Sequence, residues 1–229
     1  MIIIKKLLLI VFAIILVICI YLIPPTITSM YNYKNLTSYE VSDIEALKKI
    51  YANNEVVAKL YIASLNIDIP VMQHNDNKYY LNHDVYGNID KFGSIFLDYR
   101  NNVELDRKLI IFGHNSNKED TLFKRLEKYL NKDFYKEKAN RIIILKTNNK
   151  KTKYELKSVY IEESDFQHMK LNFTKKDWIK HVNFLNDSSF YKNTEIDYED
   201  SLLLLQTCYY KPKNSYLILV AAKTEEEYL

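Results

Sequence analysis

Residues 7–23 read LLLIVFAIILVICIYLI, seventeen apolar residues without a break, with Lys5 and Lys6 before them and Pro24-Pro25 behind. A helix of that length covers about 25 Å, enough for a thin or locally adjusted bilayer. Hydrophobic residues make up 48% of the chain, but with this run set aside the rest is ordinarily polar and rich in Tyr and Asn. The leading lysines predict that residues 1–6 stay cytoplasmic and that the following chain is exported. A cleaved signal peptide shares the basic start and apolar middle, but this run is long for a signal core and no small-x-small site directly follows it. The expectation is a single-pass protein of the cell membrane, held through its N-terminal helix. Residues 1–6 are cytoplasmic, 7–23 the transmembrane anchor, 24–42 a stalk and 43–229 one extracellular domain.

The two cysteines gain meaning from this division. They are too few for a disulfide-dense scaffold or an all-cysteine zinc site. Cys19 lies within the apolar run and Cys208 near the other end of the chain. Anchor and exported domain cannot bring them within the roughly 5.5 Å Cα separation of a disulfide. Cys208 is then an unpaired thiol in an oxidising compartment, either a small buried hydrophobe or a reactive group. Formal net charge is +3 with no polybasic stripe, which argues against nucleic acid as a partner. Only 3 Gly and 4 Pro exclude collagen-like or linker-like character.

Residues 44, 47, 50 and 51 repeat at helical spacing, with Asp43 or Ser42 as N-cap. Short β-branched runs predict strands at 56–62, 67–71, 93–97, 108–112, 141–146, 153–161, 201–207 and 216–222. Helical patterns interrupt them at 121–130 and 175–185, the second with Trp178, Val182 and Leu185 on one face and Thr174 as cap. Asn101-Asn102 and Asn148-Asn149 fit hairpin turns, and the tail from Lys223 to Leu229 reads as a frayed, solvated end. About eight short strands with helices between particular pairs predict a mainly β, α+β domain, a closed or nearly closed barrel.

The strand at 201–207 runs into Cys208 and then into the polar Tyr209-Tyr-Lys-Pro-Lys-Asn-Ser215. A cysteine at such an edge has a rigid backbone and a sulfur that meets solvent, as a nucleophile requires. Ninety-four residues earlier, the strand Lys108-Leu-Ile-Ile-Phe-Gly exits at His114-Asn-Ser. Two strand ends meeting on one rim would bring an imidazole to the thiol, where it could favour the thiolate and protonate a leaving amine. His74 and His83, with Asp84, lack metal-ligand spacing and read as solvated loop histidines. His168 and His181 read as structural. No metal and no cofactor is called for.

Leu204-Leu-Gln-Thr-Cys208 at a strand end, with Phe112-Gly-His114-Asn upstream, resembles the signature of sortases, the cysteine transpeptidases of Gram-positive cell surfaces. Asp76-Asn-Lys-Tyr-Tyr-Leu81, Gly93-Ser-Ile-Phe-Leu-Asp98-Tyr-Arg100-Asn, Thr121-Leu-Phe and the long helix near Trp178 point to the class B branch. The resemblance spans about residues 43–223. It implies a closed eight-stranded sortase-type β-barrel with an N-terminal helix and a long helix before the last two strands. It makes Cys208 the nucleophile and His114 the general acid/base, and puts Leu205, Gln206, Thr207 and Asn115 at the substrate. The implied partners are the C-terminal sorting-signal peptide of an exported surface protein and an amine of the peptidoglycan precursor.

Leu204 and Gln206 depart from the usual cysteine motif. The larger departure is at Tyr216, where the family carries a substrate-binding, oxyanion-stabilising arginine. The chain's arginines are Arg100, Arg107, Arg125 and Arg141, all before the cysteine. Losing one oxyanion donor costs about 100- to 1000-fold in rate. Tyr216, Lys211 or Lys213 could substitute, though none reproduces a bidentate guanidinium. The alternative to an active transpeptidase is a weakened or inactive surface binding module on the same barrel. A papain-like peptidase is disfavoured because His114 precedes Cys208.

Overall fold

Along Val56–Ile62 (β1) the residues at 56, 58, 60 and 62 are buried and those between them are not. Period-two burial of this kind builds one wall of a closed surface. The computed structural model describes residues 43–116, 121–163 and 165–229. Seven more strands follow: Ile67–Met72 (β2), Phe96–Leu97 (β3), Lys108–Gly113 (β4), Ile142–Lys146 (β5), Lys150–Glu162 (β6), Leu202–Tyr209 (β7) and Ser215–Tyr228 (β8). They close into a barrel in the order β1-β2-β3-β4-β7-β8-β6-β5, with β5 returning to β1. β2–β3 and β4–β7 pair in parallel, and the other neighbours are antiparallel. β4, β7 and the first half of β8 are almost wholly buried, so they read as continuous apolar runs.

Ile44–Tyr51 (α1) begins at Asp43, whose carboxylate accepts from Glu45 N at 2.9 Å, and buries Ile44, Leu47 and Tyr51. The pattern at 121–130 forms a 3-10 helix, Leu122–Leu130, instead of an α-helix. Its buried residues Phe123, Leu126 and Tyr129 recur every third position, which suits three residues per turn. Asn131 then caps the short helix Lys132–Lys136 (α2). Lys175–Ser188 (α3) starts at Thr174, whose hydroxyl accepts from Asp177 N, and buries Trp178, His181, Val182 and Leu185.

Three expectations change. The strand expected at 93–97 is only Phe96–Leu97. Gly93 takes a left-handed turn at φ +57°, where a Cβ would lie 2.2 Å from Tyr80 O. Asn101-Asn102 make no tight hairpin; Asn101 is buried in the longer β3–β4 connection, donating to Lys108 O and accepting from Ile110 N. The tail does not fray, because β8 runs to Tyr228 against β6 and sets its three glutamates beside lysines. Lys153 meets Glu225 at 2.9 Å and Lys150 meets Glu226 at 3.4 Å. Asn148-Asn149 does form the turn between β5 and β6.

The single-pass membrane location is corrected as well. Among the described residues no helix is long and apolar enough to cross a membrane. The residues 1–42 given to the cytoplasmic end, anchor and stalk, including Cys19, lie outside the described residues.

Gly113 ends β4 under Ile95 and Phe123. A Cβ there would fall 2.3 Å from Ile95 Cδ1 and 2.5 Å from Phe123 Cδ2, both buried side chains. Gly113→Ala should therefore lower stability by about 1–3 kcal/mol in urea denaturation, the usual cost of overpacking. An unchanged midpoint would show that Ile95 and Phe123 can move aside.

Candidate active site

The parallel register of β4 and β7 runs from Lys108 beside Leu202 to Gly113 beside Thr207. One residue further, His114 leaves its strand beside Cys208. On the other side of β7, Cys208 pairs directly with Tyr216 of β8. Directly opposed residues of an antiparallel pair share a face, so the Cys208 and Tyr216 side chains project together. Three strand ends thus bring His114, Cys208 and Tyr216 into one row on the barrel rim.

Hydrogen bonds lock the two parallel strand ends together. The buried Thr207 hydroxyl donates to Gly113 O at 2.7 Å. The Asn115 amide donates one hydrogen to Cys208 O at 2.9 Å and the other to Glu127 Oε1 at 2.6 Å. Tyr210 OH donates to Asn115 O at 2.8 Å. Backbone on both sides of His114 is therefore tied to backbone on both sides of Cys208.

The two reactive groups meet different surroundings. Cys208 is a free, half-buried thiol, and burial pushes its pKa above the ordinary thiol value. No hydrogen bond joins it to His114 among the described residues. The His114 ring instead places Nε2 2.6 Å from Leu81 O. A carbonyl only accepts, so Nε2 carries the hydrogen and Nδ1 of the neutral ring holds the lone pair. Tyr216 packs edge-on against Phe166, with ring centroids 5.5 Å apart.

Of the four residues expected at the substrate, Leu205 is fully buried, and Thr207 and Asn115 are buried with their polar hydrogens spent inside the protein. Gln206 Oε1 accepts from the buried His168 at 2.8 Å. The structure uses all four to hold Cys208, His114 and the loop beyond β6. Glu127, Leu81, Tyr210 and Phe166 carry no motif that marks them, and only the folded arrangement brings them here. His74 and His83 sandwich Tyr79, at centroid distances of 4.3 and 3.9 Å, instead of standing free in solvent.

A profile of the Sortase domain family matches residues 60–225. Sortase B of Listeria monocytogenes is 33% identical over 174 residues, covering 74% of this chain and 67% of that protein. The solved sortase B of Clostridium perfringens is 32% identical, with a TM-score of 0.72 over 79% of this chain and 99% of that one. A Staphylococcus aureus sortase B, solved as a substrate complex, is 26% identical, with a TM-score of 0.71 over 80% and 84%.

The raised thiol pKa has a direct consequence. Alkylation of Cys208 by iodoacetamide in the peptide-free protein should accelerate with rising pH through a midpoint above that of free cysteine, because the reactive thiolate is disfavoured by burial. A midpoint at or below the free-cysteine value would mean that the thiol is already ion-paired.

Proposed function

From the chain's membership of the sortase family, in its class B branch, we propose that it is a cysteine transpeptidase that cuts the C-terminal sorting signal of an exported protein and transfers the acyl part to an amine of the peptidoglycan precursor. The observation that carries this reading is the row His114, Cys208 and Tyr216 across β4, β7 and β8. A Staphylococcus aureus relative solved as a substrate complex supports substrate binding on this fold.

In this reading the Cys208 sulfur attacks the scissile carbonyl while its proton passes to His114 Nδ1. The tetrahedral intermediate collapses as the C–N bond breaks, and His114 returns the proton to the leaving amine. A thioester remains on Cys208. The acceptor amine then attacks it, its proton is lost to His114, and the C–S bond breaks to restore the thiol. One thiol thereby divides a difficult acyl transfer into two easier ones. Burial that keeps Cys208 protonated at rest protects it until a peptide brings donors to the site.

Tyr216 is the reserve in this scheme. It takes the position opposite the nucleophile where a guanidinium would be strongest, and its hydroxyl offers a single uncharged donor. A weaker oxyanion site makes slow turnover the expected behaviour.

Incubating the chain with a panel of sorting-signal peptides should give a Cys208 thioester detectable by mass spectrometry, and Cys208→Ala should abolish both adduct and cleavage. Peptide binding without adduct or cleavage would identify a non-catalytic module. Tyr216→Arg should raise turnover by about 100-fold, the reverse of losing one oxyanion donor. An unchanged or lower rate would mean that Tyr216 or a loop lysine already fills the role.

A further inference from the structure

Lys108 opens β4 at the end away from His114, about 20 Å along the strand at 3.3 Å per residue. Its amine is buried among His168 O at 2.6 Å, Lys170 O at 2.7 Å and His181 Nε2 at 2.8 Å, and burial pushes its pKa well below the ordinary lysine value. Burial, with Lys108 beside it, pushes His181 down to about 3, so the ring is neutral and its lone pair is available. No carboxylate bonds to Lys108 among the described residues.

Lys108 lines an open recess of about 990 Å³, a volume suited to a small molecule. Lys170, Lys175 and Arg107 line it too. Lys170 and Lys108 hold their Nζ atoms 5.2 and 5.3 Å from the centre of the Phe173 ring. Arg107 lies 4.5 Å over Trp178 and donates Nε to Asp200 O at 2.9 Å and Nη2 to Tyr198 O. Arg100, also on the wall, is neutralised by Asp98. The lining carboxylates are Asp106 and Glu199, and Asp106 is already engaged by Asn101 Nδ2 and Asn102 N. Positive charge thus converges on a cavity whose walls are partly aromatic.

We propose that this recess is a second binding site, taking an oxyanion, a phosphate ester or a polycarboxylate, whose charged group meets Lys170, Lys175 and Arg107 while its body lies against Trp178 and Phe173. Ammonium and guanidinium groups give their strongest hydrogen bonds to such oxygens. The site stands apart from the candidate active site and does not depend on catalysis there.

Trp178 is the chain's single tryptophan, so its fluorescence reports on this recess alone. The full chain is titrated with phenyl phosphate, with citrate and with sodium chloride at matched ionic strength. The expected result is a saturable change with at least one oxyanion and none with chloride. Saturation by phenyl phosphate alone assigns a phosphate ester, by citrate alone a polycarboxylate, and by both the shared oxyanion chemistry. The double variant Lys170→Gln/Lys175→Gln alters two exposed side chains and should keep the wild-type melting temperature while weakening binding by about tenfold. An oxyanion response no different from chloride, or one that the double variant leaves unchanged, overturns the proposal.

Discussion

The parallel pairing of β4 with β7 is the contact on which the rest of the rim depends. Its last rung, Gly113 beside Thr207, is closed by the buried Thr207 hydroxyl, and the exits beyond it carry His114 and Cys208. Parallel strands cannot be joined by a tight turn, so everything between these two has to be accommodated elsewhere. The chain spends that length on the 3-10 helix, α2, the β5–β6 hairpin and α3, all outside the β4–β7 contact. A register slip of one residue would turn every side chain of β7 to the other face and take Cys208 away from Tyr216.

Asn115 shows how the local sequence serves that contact. Beside His114 it invites a role in substrate binding, yet its two amide hydrogens clasp Cys208 O and Glu127. A neutral side chain with two donors can bridge a carbonyl and a carboxylate at once, which an aspartate in its place could not. His114 and Cys208 are therefore held through neighbouring backbone, with no hydrogen bond between imidazole and thiol among the described residues. His114 rests on Leu81 O and Cys208 stays protonated by burial.

The segment from Phe166 to Phe173 lies against both ends of the barrel. Phe166 packs on Tyr216, the β8 partner of Cys208, His168 bonds Gln206 two residues before Cys208, and Phe173 sits with Lys108 at the opposite end of β4. Buried polar groups fasten it throughout: His168 is fully enclosed, and Lys108 binds two of its carbonyls. Such a network is costly unless satisfied: Lys108 finds three partners within the protein, while His168 Nδ1 is buried without a hydrogen bond.

Much of the architecture was legible in the chain because it is written at short range. Short β-branched and apolar runs marked the strands, Asp43 and Thr174 marked helix starts, and the strand exits put His114 and Cys208 forward as candidates. The errors also fell at short range where tertiary contacts override local preference. Glu225 and Glu226 read as a solvated tail until β6 supplied Lys153 and Lys150 across the sheet. The sequence by itself determined which residues could be a nucleophile and a base, and that no arginine follows Cys208, since these are matters of composition and order. Tertiary structure alone decided that β4 lies beside β7, that Asn115 turns inward and that Lys108 is buried without a carboxylate. Each joins groups far apart in the chain, and only barrel closure determines which strands become neighbours.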